Sequence, residues 1–226
     1  MQRSDADSDA SYSDIVGATT ASYNDTGAPA DGSGRYYKVV ENATGATQQT
    51  STSNRGYRST YSPSLTFSIS DNTTEFGALS ASAATWADNI GGSTTEVAAH
   101  TMSASTNGPS GYTITVNGDT LTHTNPSYTI TAIGATALDV AAGTGNEQFG
   151  IRLTASGGNG AASSPYNGAS NYYAFDTSAF PDQVASDPDG DNISTTYSVF
   201  YAANIANTTE AGSYSATLTY IATGNF

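Results

Sequence analysis

Cysteine is absent from this 226-residue sequence, and its absence excludes several kinds of chemistry and of stabilisation. Without thiols the chain has no disulfide framework, no thiol nucleophile and no thiolate metal site. A β-sandwich of this length can be stable on its hydrophobic core alone, so the lack of disulfides does not argue against export from the cell.

Positive charge is also scarce, with six Lys and Arg against twenty Asp and Glu and a net charge of -14. A surface of that sign repels the phosphate backbone of nucleic acids and the headgroups of anionic lipids. We therefore expect no nucleic-acid partner. Lys38 is the only lysine, which suits an extracellular protein that must withstand proteases.

Long apolar runs are missing as well, so the sequence predicts no transmembrane segment and no membrane insertion of the mature chain. Residues 1–10 are polar and acidic, without the apolar core of a signal peptide. We interpret this start as lying near a mature terminus. The Ser- and Thr-rich composition then favours an extracellular or cell-surface location.

Catalytic motifs are missing too, since no HExxH, G-x-S-x-G, P-loop or dinucleotide-binding pattern occurs. The only two histidines, His100 and His123, lie in alternating stretches, where a hydrogen-bonded structural histidine is the commoner outcome. The spacing of the acidic residues selects no pair for glycoside hydrolysis. We therefore predict that the protein is not an enzyme and has no cofactor other than the calcium considered below.

The sequence does contain many short stretches in which apolar and polar residues alternate with a period of two. This period is typical of half-buried β-strands, because successive side chains leave opposite faces of the pleat. Residues 195–222 predict two such strands in an antiparallel hairpin, and Asn117-Gly118 predicts another hairpin turn. Only residues 81–88, an Ala-rich stretch around Trp86, favour a short helix. The sequence therefore predicts an all-β fold, an antiparallel β-sandwich or jelly roll.

An additional strand is predicted over residues 11–23, before a Gly-, Asp- and Pro-rich stretch at residues 24–34. We therefore divide the chain into an N-terminal extension with a hinge, residues 1–34, and a β-sandwich domain, residues 35–226. The extension strand can pair in its own sheet, or a flexible hinge can let it add to a neighbouring subunit. Gly17, a small residue amid larger ones, favours donation because a donated strand needs a small residue where the acceptor groove is crowded. The residues assigned to this donor strand are Tyr12, Ile15, Val16, Gly17, Thr19, Ala21 and Tyr23.

Three aspartates at alternate positions, Asp187, Asp189 and Asp191, predict a calcium site, because carboxylates around a tight bend can converge on a hard cation. The pattern departs from an EF-hand, because Ser198 stands where a bidentate Glu is expected. A closing ligand must then come from elsewhere, for example from Asp182. The alternative interpretation is a solvated acidic turn.

Carbohydrate is implied in two further ways. Trp86 with Tyr57 and Tyr61 can form a sugar-stacking platform, although a core tryptophan is the commoner outcome beside so many alanines. Five Asn-x-Ser/Thr sequons predict glycosylation, although such triplets also arise by chance in a chain rich in Asn and Thr. The sequon asparagines are Asn24, Asn42, Asn72, Asn192 and Asn207.

Four stretches carry a resemblance to known proteins: Leu65-Thr-Phe-Ser-Ile, Glu75-Phe-Gly-Ala-Leu-Ser, Ser105-Thr-Asn-Gly-Pro-Ser-Gly-Tyr-Thr-Ile-Thr-Val and Ala211-Gly-Ser-Tyr-Ser-Ala-Thr-Leu-Thr-Tyr. Their order resembles secreted bacterial and archaeal surface β-sandwich subunits, namely pilin-like, spore-coat-like and camelysin/TasA-like fibre proteins. The stretches span most of residues 65–226 and contain no WxL triplet. The resemblance implies an exported sandwich that assembles into fibres or coats.

These observations lead to two hypotheses about function. The first is a structural subunit of an extracellular filament or pilus, a homopolymer built by donation of the N-terminal strand to the neighbouring subunit. The second is a calcium-dependent adhesin or carbohydrate-binding β-sandwich module.

Overall fold

The computed structural model describes residues 1–6, 8–20, 22–28, 34–41, 49–56 and 63–225. The chain divides into two compact units, Met1–Ser62 and Pro63–Phe226. The boundary after residue 34 that we inferred from the sequence therefore lies inside the first unit. Within the described residues, no helix is both long and apolar enough to cross a membrane.

The first unit is built from short strands. Its main sheet is antiparallel with the order β2-β1-β3-β6, and β4 and β5 form a separate two-stranded ribbon. The strands are β1 (Gln2–Ser4), β2 (Ser13–Asp14), β3 (Arg35–Lys38), β4 (Val40–Glu41), β5 (Gln49–Thr50) and β6 (Asn54–Gly56), with a 3-10 turn at Asp9–Ser11.

The second unit contains two larger sheets, and its named strand pairs are all antiparallel. The strands are β7 (Leu65–Ile69), β8 (Thr85–Trp86), β9 (His100–Thr106), β10 (Tyr112–Gly118), β11 (Thr122–His123), β12 (Gly134–Asp139), β13 (Gln148–Gly157), β14 (Ala161–Ala162), β15 (Tyr172–Phe175), β16 (Asp182–Asp187), β17 (Thr195–Asn204), β18 (Tyr214–Ser215) and β19 (Leu218–Gly224). The larger sheet has the order β12-β15-β13-β17-β9-β7, with β8 beside β17. The smaller sheet has the order β14-β16-β10-β19, and β11 pairs with β18.

The core of the second unit lies between the two larger sheets. Alternate residues of β9, β10 and β17 are buried, as the period-two pattern predicts. Met102 and Val199 of the larger sheet belong to the same buried cluster as Ile114 and Val184 of the smaller sheet. Each fully buried side chain of this kind contributes about 2 kcal/mol to the hydrophobic stabilisation. The prediction of an all-β sandwich is confirmed, whereas the jelly-roll form and the N-terminal strand stay predictions.

Tyrosine hydroxyl groups connect the two sheets through this core. The hydroxyls of Tyr112 on β10 and Tyr197 on β17 are 2.9 Å apart. Those of Tyr201 on β17 and Tyr220 on β19 are 2.8 Å apart. Burial raises the pKa of all four phenols, so they stay neutral donors and acceptors at physiological pH.

The hairpin predicted over residues 195–222 is wrong, although both of its strands exist. β17 pairs with β13, β9 and β8 in the larger sheet, whereas β19 pairs with β10 in the smaller sheet. The residues between β17 and β19 cross from the larger sheet to the smaller one. The apolar faces of the two strands therefore pack against each other across the core instead of lying next to each other in one sheet. The Asn117-Gly118 hairpin is also wrong, because β10 pairs with β16 and β19 and not with the strand that follows it.

The helix predicted around Trp86 is replaced by strand β8. The backbone N–H and C=O of Trp86 exchange hydrogen bonds with Ser93, at 2.9 and 2.8 Å, and the residue pairs with Ala202 of β17. Its side chain is 5% exposed in a small cluster with Val140 and Tyr173. Burial of the indole against the larger sheet therefore outweighs the helix propensity of the neighbouring alanines.

Candidate functional site

Strand β7 forms one edge of the larger sheet, and no described strand pairs with its outer side. Ser70 N–H donates to Thr101 at 2.9 Å, and Asn107 N–H donates to Ser64 at 3.4 Å. Alternate residues exchange hydrogen bonds in an antiparallel pair, so the even-numbered residues of β7 bond to β9. The backbone groups of Leu65, Phe67 and Ile69 consequently face the free edge.

Strand β19 forms the corresponding edge of the smaller sheet, again without a partner on its outer side among the described strands. Asn225 N–H donates to Gly111 at 2.9 Å, which places the odd-numbered residues of β19 in the bonds to β10. Leu218, Tyr220 and Ala222 therefore turn their backbone groups outward while their side chains pack against the core. Each edge thus combines free backbone groups with apolar side chains that point inward.

A cleft of about 880 Å³ opens beside these two edges, and we call it the edge cleft. Cα atoms of β7 and β19 come within 8 Å of each other, so the cleft opens beyond the point where the edges converge. One wall is Ile69 with segment 71–79, and the other is segment 209–216 with Leu218 and Tyr220. The floor consists of His100, Leu121, Phe149, Tyr201 and Ile205.

The wall formed by segment 71–79 is fixed to the body of the sandwich. Glu75 and Asp88 exchange backbone hydrogen bonds of 2.6 and 3.0 Å, and the ring of Phe76 meets that of Phe149 edge-on at 6.3 Å between centroids. The carboxylate of Asp88 accepts the N–H groups of Ile90 and Gly92, which lowers its pKa. These contacts hold the wall in place beside the cleft.

Polar groups form a chain along the cleft floor. His100 Nε2 lies 2.8 Å from the Tyr201 hydroxyl, which in turn lies 2.8 Å from the Tyr220 hydroxyl. His100 is 8% exposed, and its Nδ1 has no hydrogen-bond partner within the described part of the chain. Burial lowers the pKa of His100, so the imidazole is neutral at physiological pH.

The charge of the cleft has a single sign. Asp71, Glu75 and Glu210 line it, and no Lys or Arg occurs among the described residues of its lining. Arg152 is the only Lys or Arg among residues 63–226, and its Nε donates to Glu96 at 2.9 Å in a largely buried pair. The cleft therefore suits an uncharged occupant and repels an acidic one.

The predicted donor residues lie in the first unit, and they do not form one continuous strand there. Among the described residues of the range 11–23, only Ser13 and Asp14 belong to a strand, where they pair with Arg3 and Gln2 of β1. The chain then turns at Val16-Gly17, where φ of Gly17 is +87° and favours glycine.

The side chains of the donor residues have diverse surroundings. Val16 is 92% exposed, Lys38 Nζ lies 4.3 Å from the ring centroid of Tyr12, and the Tyr23 hydroxyl donates to Val16 O at 3.1 Å. Ile15 and Thr19 donate backbone hydrogen bonds to Met1 and Gly17, at 3.0 and 2.9 Å. Ala21 lies outside the described residues. The assignment of all seven as donor residues stays a prediction.

The predicted calcium ligands lie at the end of β16, which closes with Asp187, and in the turn that follows, which contains Asp189 and Asp191. Asp187 is 2% exposed and accepts the Asp189 N–H at 3.0 Å, while Asp191 accepts the Ile193 N–H at 2.8 Å. Burial raises the pKa of Asp187, and the carboxylates of Asp191 and Asp189 act in the same direction.

The described side chains at this turn do not form a cluster of metal ligands. Among the described residues, no three His, Asp or Glu side chains lie close enough together to hold a metal ion. Asp182, the additional ligand we considered, lies at the other end of β16 and accepts the Tyr166 hydroxyl at 2.8 Å. The calcium site stays a prediction.

The remaining predicted sites concern carbohydrate. Asn24, Asn72, Asn192 and Asn207 are exposed, and Asn42 lies outside the described residues. Trp86 is buried and cannot offer a ring face to a sugar, so the stacking platform is wrong. Tyr57 and Tyr61 also lie outside the described residues.

The edge cleft itself was not predicted from the sequence. The alternation of Leu218, Tyr220 and Ala222 indicates an inward-facing side of a strand, but it does not reveal that the strand lacks a neighbour. Comparisons with family models, with curated proteins and with solved structures found no match to this chain.

Proposed function

We propose that this protein is a structural subunit of an extracellular filament, in which residues 11–23 of one copy add a strand to the sandwich of the next. The observation that carries the proposal is the pair of free edges, β7 and β19. Neither strand contains a charged residue or a proline, the devices by which sheet edges commonly avoid pairing. Such edges are templates for an added strand.

Strand donation explains how a single kind of chain forms a polymer. The donating and accepting surfaces differ, so each copy keeps one of each exposed and the contact repeats head to tail. A contact of this type that does not close into a ring gives an open filament. Backbone hydrogen bonds along the added strand supply affinity, while the side chains that enter the core supply specificity.

Substitution of Ile15 and Val16 by Asp tests the donating segment. Two carboxylates cannot be buried without a large desolvation cost, so the I15D/V16D chain should remain a folded monomer. Negative-stain electron microscopy and sedimentation read out assembly, and circular dichroism reads out folding. The matched control is I90D/I193D, which adds the same charge at two exposed isoleucines of the second unit and should still assemble. Filaments from I15D/V16D would refute the proposal.

A calcium-dependent adhesin or carbohydrate-binding module is the second candidate. The observation in its favour is Asp191 Oδ2, a buried carboxylate oxygen without a partner in the described structure, beside the nearly inaccessible Asp187. A bound cation there would relieve the repulsion between the two groups. Calcium should then raise the melting temperature, and glycan binding on an array should be lost with chelator. A melting temperature that chelation leaves unchanged dismisses this candidate.

A further inference from the structure

We infer that the edge cleft is the acceptor for the donated segment, and that the uncharged residues 15–24 of a second copy occupy it with Val16 against Leu121, Phe149 and Ile205 of its floor. This inference rests on the proposed function and deepens it, because it names both partners of the contact. The free edge of β19 would be the strand to which the segment adds.

Charge selects the occupant. The cleft lining is acidic and holds no described cation, so an acidic strand would be repelled. Residues 15–24 form a run of ten uncharged residues, bounded by Asp14 and Asp25. The carboxylates at either end can therefore remain in solvent while the run between them is buried.

Length and spacing agree with this assignment. Ten extended residues span about 33 Å and seven span about 23 Å, so the run is long enough to cover all seven residues of β19. A strand held between β7 and β19 needs a gap of about 9.6 Å between them, twice the strand spacing. Where their Cα atoms come within 8 Å there is no room, which confines insertion to the part of the seam that the cleft opens.

The segment is available for such a move. Val16 is 92% exposed, and residues 16–20 belong to no sheet. The turn at Gly17 is held by two short-range backbone hydrogen bonds, from Ala18 to Ile15 at 3.2 Å and from Thr19 to Gly17 at 2.9 Å. Ile15 N–H also donates to Met1 O at 3.0 Å, the Met1 ammonium donates to Ala18 O at 3.4 Å, and the Tyr23 hydroxyl donates to Val16 O at 3.1 Å. Donation exchanges these bonds for strand hydrogen bonds along β19, and glycine adopts either conformation at little cost.

Disulfide trapping tests the assignment cleanly because the chain has no cysteine of its own. Val16→Cys is combined in one chain with Ala78→Cys on one cleft wall, or with Ser215→Cys on the other. After assembly and oxidation with glutathione disulfide, non-reducing electrophoresis should show a ladder of covalent multimers for at least one pair. The control pair, Val16→Cys with Ile193→Cys, places the second thiol at an exposed site outside the cleft and should give no ladder.

The failures of the two proposals are distinguishable. Filaments that form from both cleft pairs without a ladder overturn the acceptor assignment and leave the filament proposal intact. A monomer that migrates faster, owing to a disulfide within one chain, also overturns it, because the segment then fills its own cleft. Wild-type protein that forms no filaments contradicts the proposed function itself.

Discussion

His100 is the residue at which the cleft and the stability of the sandwich are linked. Its imidazole lies in the cleft lining, bonded to Tyr201 and edge-on to Tyr220 at 5.9 Å between ring centroids. Burial disfavours the protonated ring and lowers its pKa, and the Thr101 backbone and the Asp71 carboxylate oppose this effect only in part. Protonation therefore places a charge on a ring where burial disfavours it.

This arrangement predicts a loss of stability in mild acid. An unfolded histidine has a pKa of about 6.5. Because the folded value is lower, the unfolded chain takes up the proton first as the pH falls. The contribution of His100 is thus fully present above about pH 6.5 and is lost between that pH and the lower folded-state pKa. Thermal unfolding of His100→Gln at pH 7.5 and 5.5 should show a smaller drop in Tm than wild type.

The other histidine provides the control for this measurement. His123 lies outside the cleft lining, in the β11–β18 pair, so His123→Gln, measured at the same two pH values, shows how Tm responds to the loss of an imidazole outside the cleft. Equal drops in Tm for wild type and His100→Gln would show that the buried imidazole is not the group that titrates.

At the scale of the elements, strands were predictable and their partners were not. The alternation in β17 and β19 depends only on neighbouring residues, so the sequence displays it directly. Which strand pairs with which depends on contacts between distant parts of the chain, and a turn-rich connection is compatible with a hairpin or with a crossing between sheets. We predicted a hairpin because it needs the shorter connection between the two strands. A connection that crosses between the sheets is favoured in the fold because it buries the tyrosine-rich faces of both strands.

The edge cleft could not be predicted for the same reason. Its walls, segments 71–79 and 209–216, are far apart in sequence and meet only through the order of the sheets. The donor strand was predicted over residues 11–23 from alternation alone, but the pattern does not distinguish an extended Gly17 from one that turns the chain. Local patterns thus identified which residues face inward, and only the fold shows where a neighbour is missing.

Proline substitutions at adjacent residues of β19 test which backbone groups are free. Ile221 lies in the hydrogen-bonded register with β10, so Ile221→Pro removes a ladder hydrogen bond and should lower the unfolding free energy by about 1–3 kcal/mol. Ala222 faces the free edge and does not line the cleft, so Ala222→Pro should leave the fold much less affected. Urea unfolding measures both variants. Equal destabilisation by both prolines would contradict the assignment of the free edge.

At the scale of the whole molecule, charge opposes assembly. The net charge is -14, and residues 63–226 carry thirteen Asp and Glu against the single paired Arg152. Neighbouring subunits in a filament therefore repel one another through charges that salt screens over about 10 Å at 0.1 M.

Salt should accordingly promote the polymer. We expect light scattering to show faster assembly as sodium chloride rises from about 0.02 to 0.3 M, because screening weakens the repulsion between subunits. Sodium sulfate at the same ionic strength serves as the comparison. It screens charge equally, but it is also excluded from the protein surface and thereby strengthens apolar burial, so a difference between the two salts measures the second effect. Assembly that slows with added sodium chloride would indicate that attraction between opposite charges drives the contact.

The most direct measurement is the structure of the assembled filament by electron cryo-microscopy. We predict density for residues 15–24 of one subunit along the part of β19 that lines the edge cleft of the next, at Leu218 and Tyr220, with Val16 inside the cleft. A filament in which those residues stay in their own subunit and the cleft of the neighbour is empty would contradict donation of the N-terminal segment.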